Sequence, residues 1–162
     1  MKVLIAFRSR YGTTEGCARD LAAMLRAPSV RVDLARTRSV DFTPFDVVLI
    51  GGSIYGGRIL PPVTDFCERH RDALVERKVG VFICCLAKGA HARAQLEEAF
   101  PTWLLARTFA QAFAGGEIRR ARLSLLDRLL VRRLPQAKGD VSLLDAAALR
   151  ALADAVNSLA ES

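Results

Sequence analysis

Hydrophobic and polar positions follow two alternating patterns along this chain. Continuous apolar runs, typical of strands buried on both faces of a parallel sheet, are separated by stretches in which apolar residues recur at helical spacing. The apolar runs predict five strands, at residues 2–7, 30–34, 46–50, 79–86 and 108–113. The helical spacing predicts helices at residues 13–26, from 61 onwards, at 90–100 and at 142–159. In the last helix, Ser142 and Asp145 have the spacing of a capping box.

This alternation predicts an α/β fold. Right-handed crossover connections would build a doubly wound parallel sheet with helices on both faces. The 162 residues suffice for one core, and neither an internal repeat nor a low-complexity linker divides them. We therefore expect a single domain over residues 1–162.

Membrane spans and secretion are not expected. No apolar run approaches the eighteen or so residues that cross a bilayer, and the short apolar start before Arg8 lacks a signal-peptide cleavage site. The protein is therefore expected to be cytoplasmic. Its four cysteines show no CxxC spacing and no accompanying histidine pair, which predicts reduced, buried thiols and no metal site.

One stretch, residues 118–139, interrupts the alternation and is called the inserted segment below. Residues 118–138 contain seven Lys or Arg and one Asp, a large share of the net charge of +7. Leucines at positions 123, 126, 130 and 134 and four arginines predict a basic amphipathic helix. These arginines are expected to contact substrate or membrane: Arg122, Arg128, Arg132 and Arg133.

The inserted segment allows three interpretations. Its cations could place the protein peripherally on an anionic membrane face, or its arginines could clamp carboxylate substituents of a substrate. Alternatively, its leucines pack on the domain and its arginines are simply solvated. Nucleic acid is not an expected partner, because no recognition motif or interleaving of aromatic and basic residues accompanies the charge.

The loop after the first predicted strand carries the sharpest chemical signal. It is rich in hydroxyl groups and leads directly into a helix, whose first N–H groups are unpaired and can hold a phosphate. The alternative is an ordinary turn with a threonine N-cap. This stretch, the phosphate loop below, consists of Ser9, Arg10, Tyr11, Gly12, Thr13 and Thr14.

Two further loops follow strands whose carboxyl ends should lie at the same edge of the sheet, where ligands of open α/β sheets bind. The second loop supplies glycines for a close backbone approach and a tyrosine that could stack on a flat ring; it contains Ser53, Ile54, Tyr55, Gly56 and Gly57. The third loop contains Leu86, Ala87, Lys88 and Gly89.

Together these loops resemble the flavodoxin family over nearly the whole chain. Within that family, the pattern is most similar to the menaquinone-dependent protoporphyrinogen IX dehydrogenase group. The features that carry this resemblance are residues 51–56 (GGSIYG), residues 114–116 (AGG), and the inserted segment with its LDRL at 126–129 and Gly139-Asp140.

The resemblance implies a flavodoxin-like five-stranded sheet in the order 2-1-3-4-5 and bound FMN, with the three loops around the cofactor. It further implies an enzyme that oxidises a reduced tetrapyrrole and passes the electrons to a quinone. No side chain is assigned as a catalytic acid or base, because the flavin carries the redox chemistry.

Two departures from typical flavodoxins bear on the alternatives. This chain is basic, whereas flavodoxin electron shuttles are typically acidic, and its third loop offers Leu86 and Ala87 where an aromatic would be expected. The main alternative is nevertheless a flavodoxin-like FMN electron-transfer protein without its own substrate. A scaffold that has lost FMN is a third.

Overall fold

The computed structural model describes residues 1–133 and 139–161. Its strands are β1 (Val3–Arg8), β2 (Ser29–Asp33), β3 (Val47–Tyr55), β4 (Arg58–Ile59), β5 (Lys78–Cys84), β6 (Thr108–Phe113), β7 (Glu117–Ile118) and β8 (Val141–Ser142). Its helices are α1 (Thr13–Met24), α2 (Pro61–Arg69), α3 (Arg71–Val75), α4 (Gly89–Ala99), α5 (Thr102–Leu105), α6 (Leu125–Val131) and α7 (Ala146–Leu159), with one 3₁₀ turn at Arg120–Arg122.

Five parallel strands form the central sheet in the order β2-β1-β3-β5-β6. Since β5 and β6 are the fourth and fifth of the predicted strands, this is the order 2-1-3-4-5 that the resemblance implied, and the fold prediction is confirmed. The register aligns Val3 of β1 with Val47 of β3, and Val47 with Lys78 of β5. The carboxyl ends of these three strands therefore lie side by side.

The core has two layers, one on each face of the sheet. α1 and α7 cover one face through Leu21 and Leu152, whereas α2 to α5 cover the other through residues such as Phe66 and Leu96. Successive residues of β1 and β3 point to opposite faces, so strands covered on both sides need the unbroken apolar runs seen in the sequence. The four cysteines are free and buried, as predicted.

Strand β3 extends beyond the predicted end at residue 50, through two glycines. A Cβ atom on Gly51 would lie 2.0 Å from Cζ of Phe82, and one on Gly52 would lie 2.8 Å from Ile59. Glycine is required at both places because neighbouring side chains occupy that space. The second loop is consequently shorter than predicted, because residues 53–55 belong to β3 and only the turn at Gly56 and Gly57 precedes β4.

The inserted segment differs most from its prediction. Antiparallel pairing of β7 with β8 closes its base, and in place of one continuous amphipathic helix it forms a 3₁₀ turn and the seven-residue helix α6. Residues 134–138, including the predicted Leu134, lie outside the described residues. Because β8 takes up Ser142, the last helix begins at Ala146, and Asp145 is its N-cap, accepting a 2.9 Å hydrogen bond from the N–H of Ala148. The predicted start at Ser142 was wrong.

Candidate cofactor site

A cavity of about 360 Å³ opens at the carboxyl edge of the sheet. All three predicted loops contribute to its wall, together with the inserted segment. Its lining is mainly apolar, with polar groups from the phosphate loop along one side. The predicted site residues in the lining are Arg10, Tyr11, Thr13, Ser53, Ile54, Tyr55, Gly56 and Leu86.

The phosphate loop is held open by a glycine in a left-handed conformation. Gly12, at φ 93°, is the N-cap of α1, and its N–H donates a 2.9 Å hydrogen bond to Oγ of Ser9. The first repeating helix bond runs from the N–H of Gly16 to the carbonyl of Gly12, at 2.9 Å. The amide groups of Thr13 and Thr14 precede that bond, so they remain available at the positive end of the helix.

Thr14 joins the phosphate loop to the second loop. Its side chain is fully buried, and its Oγ1 lies 2.7 Å from Oγ of Ser53. The two hydroxyls therefore fix the spacing between the ends of β1 and β3. Thr13, in contrast, is half-buried and lines the cavity.

The side chain of Arg10 contacts both the second loop and the inserted segment. Its guanidinium lies 4.0 Å from the ring centroid of Tyr55, and its Nη2 lies 3.1 Å from Oδ2 of Asp127 in α6. A hydrogen bond with Tyr11 and the ion pair with Asp127 raise the pKa of Arg10, against the opposing effect of burial. Arg10 is thus bound to protein groups here, and its role as a phosphate ligand stays a prediction.

Tyr11 is the second phosphate-loop residue that touches the inserted segment. Burial by itself would raise the pKa of its hydroxyl, but hydrogen bonds with Arg10 and with Ser124, the N-cap of α6, lower it overall. The phosphate loop and the start of α6 are therefore connected through side chains on both sides.

The third loop reaches the cavity only in part. Leu86 lines it, beside the buried Cys84 and Cys85. The carbonyl of Ala87 accepts a weak hydrogen bond from Sγ of Cys85, at 3.6 Å. The other two residues of the loop lead away: Lys88 is exposed as the N-cap residue of α4, and Gly89, at φ 56°, begins that helix.

The inserted segment covers the outer side of the cavity with Leu123, Leu130 and Val131. Of its four predicted contact arginines, Arg122 reaches back to the phosphate loop, where its Nη1 lies 3.4 Å from the carbonyl oxygen of Tyr11. The others are exposed: Nε of Arg128 donates to the carbonyl of Arg120 at 3.2 Å, and Arg132 and Arg133 follow α6.

Helix α6 has the reverse of the usual amphipathic arrangement. Asp127 is only 2% exposed, whereas Leu125, Leu126, Leu129 and Leu130 are 78%, 75%, 57% and 56% exposed. The interpretation in which the leucines of the inserted segment pack on the domain is therefore wrong for Leu126, whereas Leu123 and Leu130 line the cavity. Sequence reasoning gave Asp127 no role; the available signal was a lone carboxylate in a segment of seven cations, three residues after a serine that can cap a helix.

A family comparison decides what kind of site this is. The model of a flavodoxin domain matches residues 4–143, most of the chain and all three loops. The chain belongs to the flavodoxin domain family.

Solved structures share this fold. A WrbA-like flavodoxin from Agrobacterium tumefaciens matches with a TM-score of 0.57 and 14% identity, covering 99% of this chain and 95% of that one. The flavodoxin of Megasphaera elsdenii matches with a TM-score of 0.57 and 18% identity, covering 96% and 98%. Rubredoxin oxygen:oxidoreductase from Desulfovibrio gigas matches at 0.55 and 18% identity over 96% of this chain, which spans 37% of that longer protein.

The residues of this flavodoxin-domain protein fit FMN, and the predicted cofactor is confirmed by the family. The open amides of α1, with Gly12 and Thr13 beside them, suit a phosphate, and the apolar cavity between Tyr55 and Leu86 suits a flat ring. The protein is thus a flavoprotein of the oxidoreductase and electron-transfer kind. Among the residues that the structure describes, no group of three or more His, Cys, Asp or Glu could hold a metal, and no helix has the length and apolar character of a membrane span.

Proposed function

We propose that this protein is an FMN-dependent oxidoreductase of the protoporphyrinogen IX dehydrogenase type, which passes electrons from a reduced tetrapyrrole to a quinone. FMN, when bound, carries the electrons between the two substrates. The observation that carries the proposal is the position of the inserted segment, which forms the outer wall of the cofactor cavity. An electron shuttle needs no such cover, because its partner must approach the flavin edge.

The chemistry of the cavity and its rim supports this substrate class. A tetrapyrrole is a large, flat, mainly apolar molecule with carboxylate substituents. Leu86 and Leu123 provide apolar wall, and no aromatic side chain of the third loop covers the ring space. At the rim, Arg128 is exposed and can bind a carboxylate in the bidentate manner of arginine.

The outer face of α6 supports access to a membrane quinone. Leu125, Leu126 and Leu129 are exposed on this helix, which also carries Arg128 and is followed by Arg132 and Arg133. Each leucine moved from water into the apolar layer of a bilayer surface contributes about 1.5 kcal/mol or more, and each cation near anionic lipid about 1 kcal/mol. We therefore include peripheral contact with an anionic membrane in the proposal.

Anaerobic flavin bleaching tests the reaction. The FMN-loaded protein is mixed with protoporphyrinogen without oxygen, and the flavin absorbance near 450 nm is followed, then a menaquinone analogue is added. The proposal expects bleaching by the tetrapyrrole and recovery with the quinone. If the tetrapyrrole has no effect while a one-electron donor reduces the protein in two well-separated steps, the electron-shuttle alternative replaces the proposal.

Vesicle binding tests the membrane contact separately. Co-sedimentation compares vesicles of phosphatidylcholine with vesicles that also contain phosphatidylglycerol. We expect binding to the anionic vesicles that falls at least tenfold in Leu126→Ser/Leu129→Ser and in Arg132→Gln/Arg133→Gln. Leu144→Ser is the matched control, since Leu144 is an exposed leucine outside the inserted segment. Equal binding by all variants, or none by the wild type, contradicts a membrane role for α6.

A further inference from the structure

The start of the inserted segment lies directly on the phosphate loop. Nη1 of Arg122 is 3.4 Å from the carbonyl oxygen of Tyr11, and Ser124 is hydrogen bonded to Tyr11. Three residues after Ser124, Asp127 forms the 3.1 Å ion pair with Arg10. These contacts join the segment to three groups of the phosphate loop: the carbonyl of Tyr11, the hydroxyl of Tyr11 and the guanidinium of Arg10.

Gly12 shows how closely Arg122 approaches the phosphate loop. If Gly12 carried a Cβ atom, Nη1 of Arg122 would lie only 3.2 Å from it. Gly12 is also the N-cap of α1, so the guanidinium lies next to the residue from which the open amides of Thr13 and Thr14 begin. The guanidinium of Arg122 and the unpaired amides at the start of α1 therefore lie close together, although they are more than 100 residues apart in the sequence.

We infer that Arg122 is a ligand of the FMN phosphate, so that the inserted segment itself selects the phosphorylated flavin over riboflavin. The inference rests on the assignment of the phosphate loop to FMN and is independent of the tetrapyrrole substrate proposed above. It moves Arg122 from the substrate or membrane contacts expected from the sequence to the cofactor contacts.

Arg122 is better placed for this role than Arg10. The guanidinium of Arg10 is held by the buried carboxylate of Asp127 and by the ring of Tyr55. Arg122 is exposed, and its contact with Tyr11 uses one of the five N–H donors of a guanidinium. The remaining donors can form charge-assisted hydrogen bonds with phosphate oxygens. Asp127 supports the arrangement by holding the segment against the loop.

Comparing FMN with riboflavin tests the inference, because the two differ only in the phosphate. Flavin fluorescence quenching gives Kd for each on the apoprotein, in wild type and in Arg122→Gln. We expect Arg122→Gln to weaken FMN binding about tenfold and to change riboflavin binding less than about twofold. Arg122→Lys should recover part of the loss, and added salt should reduce the difference between wild type and variant.

Arg133→Gln is the matched control, since it removes the same charge from the same exposed segment away from the phosphate loop. Thermal denaturation of each apoprotein checks folding, and Arg122→Met provides the same test should the glutamine variant fail to fold. An equal loss for both flavins, or no loss for either, overturns the inference and leaves Arg122 as a structural contact of Tyr11. A wild-type protein that binds no FMN overturns the phosphate-loop assignment itself.

Discussion

The sheet and the inserted segment use leucine in opposite ways. In the sheet, Leu4 and Leu49 are completely buried and help to form the core. In α6, Leu125, Leu126 and Leu129 face solvent while the aspartate is buried. The sheet therefore folds by removing apolar surface from water, whereas α6 is attached through polar contacts and keeps its apolar surface available.

Replacing a leucine by alanine should give the largest difference between the two regions in the free energy of unfolding. Leu49→Ala should reduce the free energy of unfolding by about 2–5 kcal/mol, because it leaves a cavity in a closely packed core. Leu126→Ala, on the exposed face of α6, should change it by less than about 0.5 kcal/mol. Urea denaturation of the apoprotein measures both. A comparable loss at Leu126 would show that α6 packs its leucines on the domain after all.

The two partners of the ion pair that attaches α6 should differ in how much stability is lost when each is replaced. Arg10→Gln leaves the buried carboxylate of Asp127 without its cation, which should cost about 1–3 kcal/mol. Asp127→Asn leaves Arg10, whose side chain is 39% exposed, in contact with water, and should cost less.

The double variant completes this comparison. Arg10→Gln/Asp127→Asn should be more stable than Arg10→Gln alone, since no buried charge then lacks a partner. Urea denaturation gives the free energies, and hydrogen exchange in α6 reports whether the helix has separated from the phosphate loop. Strictly additive losses would contradict an energetic coupling between the two side chains.

The smallest expected effect is a dependence of stability on pH, which comes from a histidine at the end of α2 and not from the inserted segment. His70 packs against Phe42 and Phe66, with ring centroids 5.1 and 5.0 Å away. Burial lowers its pKa, against the opposing effect of a hydrogen bond with the backbone of Arg38. The unfolded chain therefore binds a proton more readily than the native state.

Stability should consequently fall as the pH decreases through about 6.5, the pKa of a histidine in an unfolded chain, towards the lower native pKa. Thermal midpoints measured between pH 7.5 and 5 should decline less in His70→Gln than in wild type. His91→Gln, at an exposed histidine, is the control. An identical pH profile in His70→Gln would show that other groups cause the dependence.

Much of the cofactor site could be read from the sequence because it depends on local and periodic signals. A hydroxyl-rich turn between an apolar strand and a helix predicted the loop at residues 9–14, and the structure places Arg10, Tyr11 and Thr13 in the cavity wall. The third loop was less predictable: the direction of Lys88 depends on where α4 begins, and Gly89 sets that start with its positive φ.

The two glycines after the third predicted strand gave a wrong prediction of where that strand ends. Gly51 and Gly52 suggested the end of a strand, yet β3 continues to Tyr55. The strand continues because Gly51, Gly52 and Ser53 pair with β5. Glycine is needed there because Phe82 and Ile59 approach closely, and no local pattern places either side chain beside these glycines.

The sequence by itself determined the order of strands and helices, the parallel sheet and the loop that opens α1, because strand burial and helix spacing are periodic and short-range. Only the tertiary structure decided the orientation of α6. Its leucine spacing fits packing on the domain as well as facing outward, and the choice was made by Asp127, which meets Arg10 117 positions earlier in the chain. A partly buried ion pair between distant residues has no periodic trace in a sequence, so only the folded molecule reveals it.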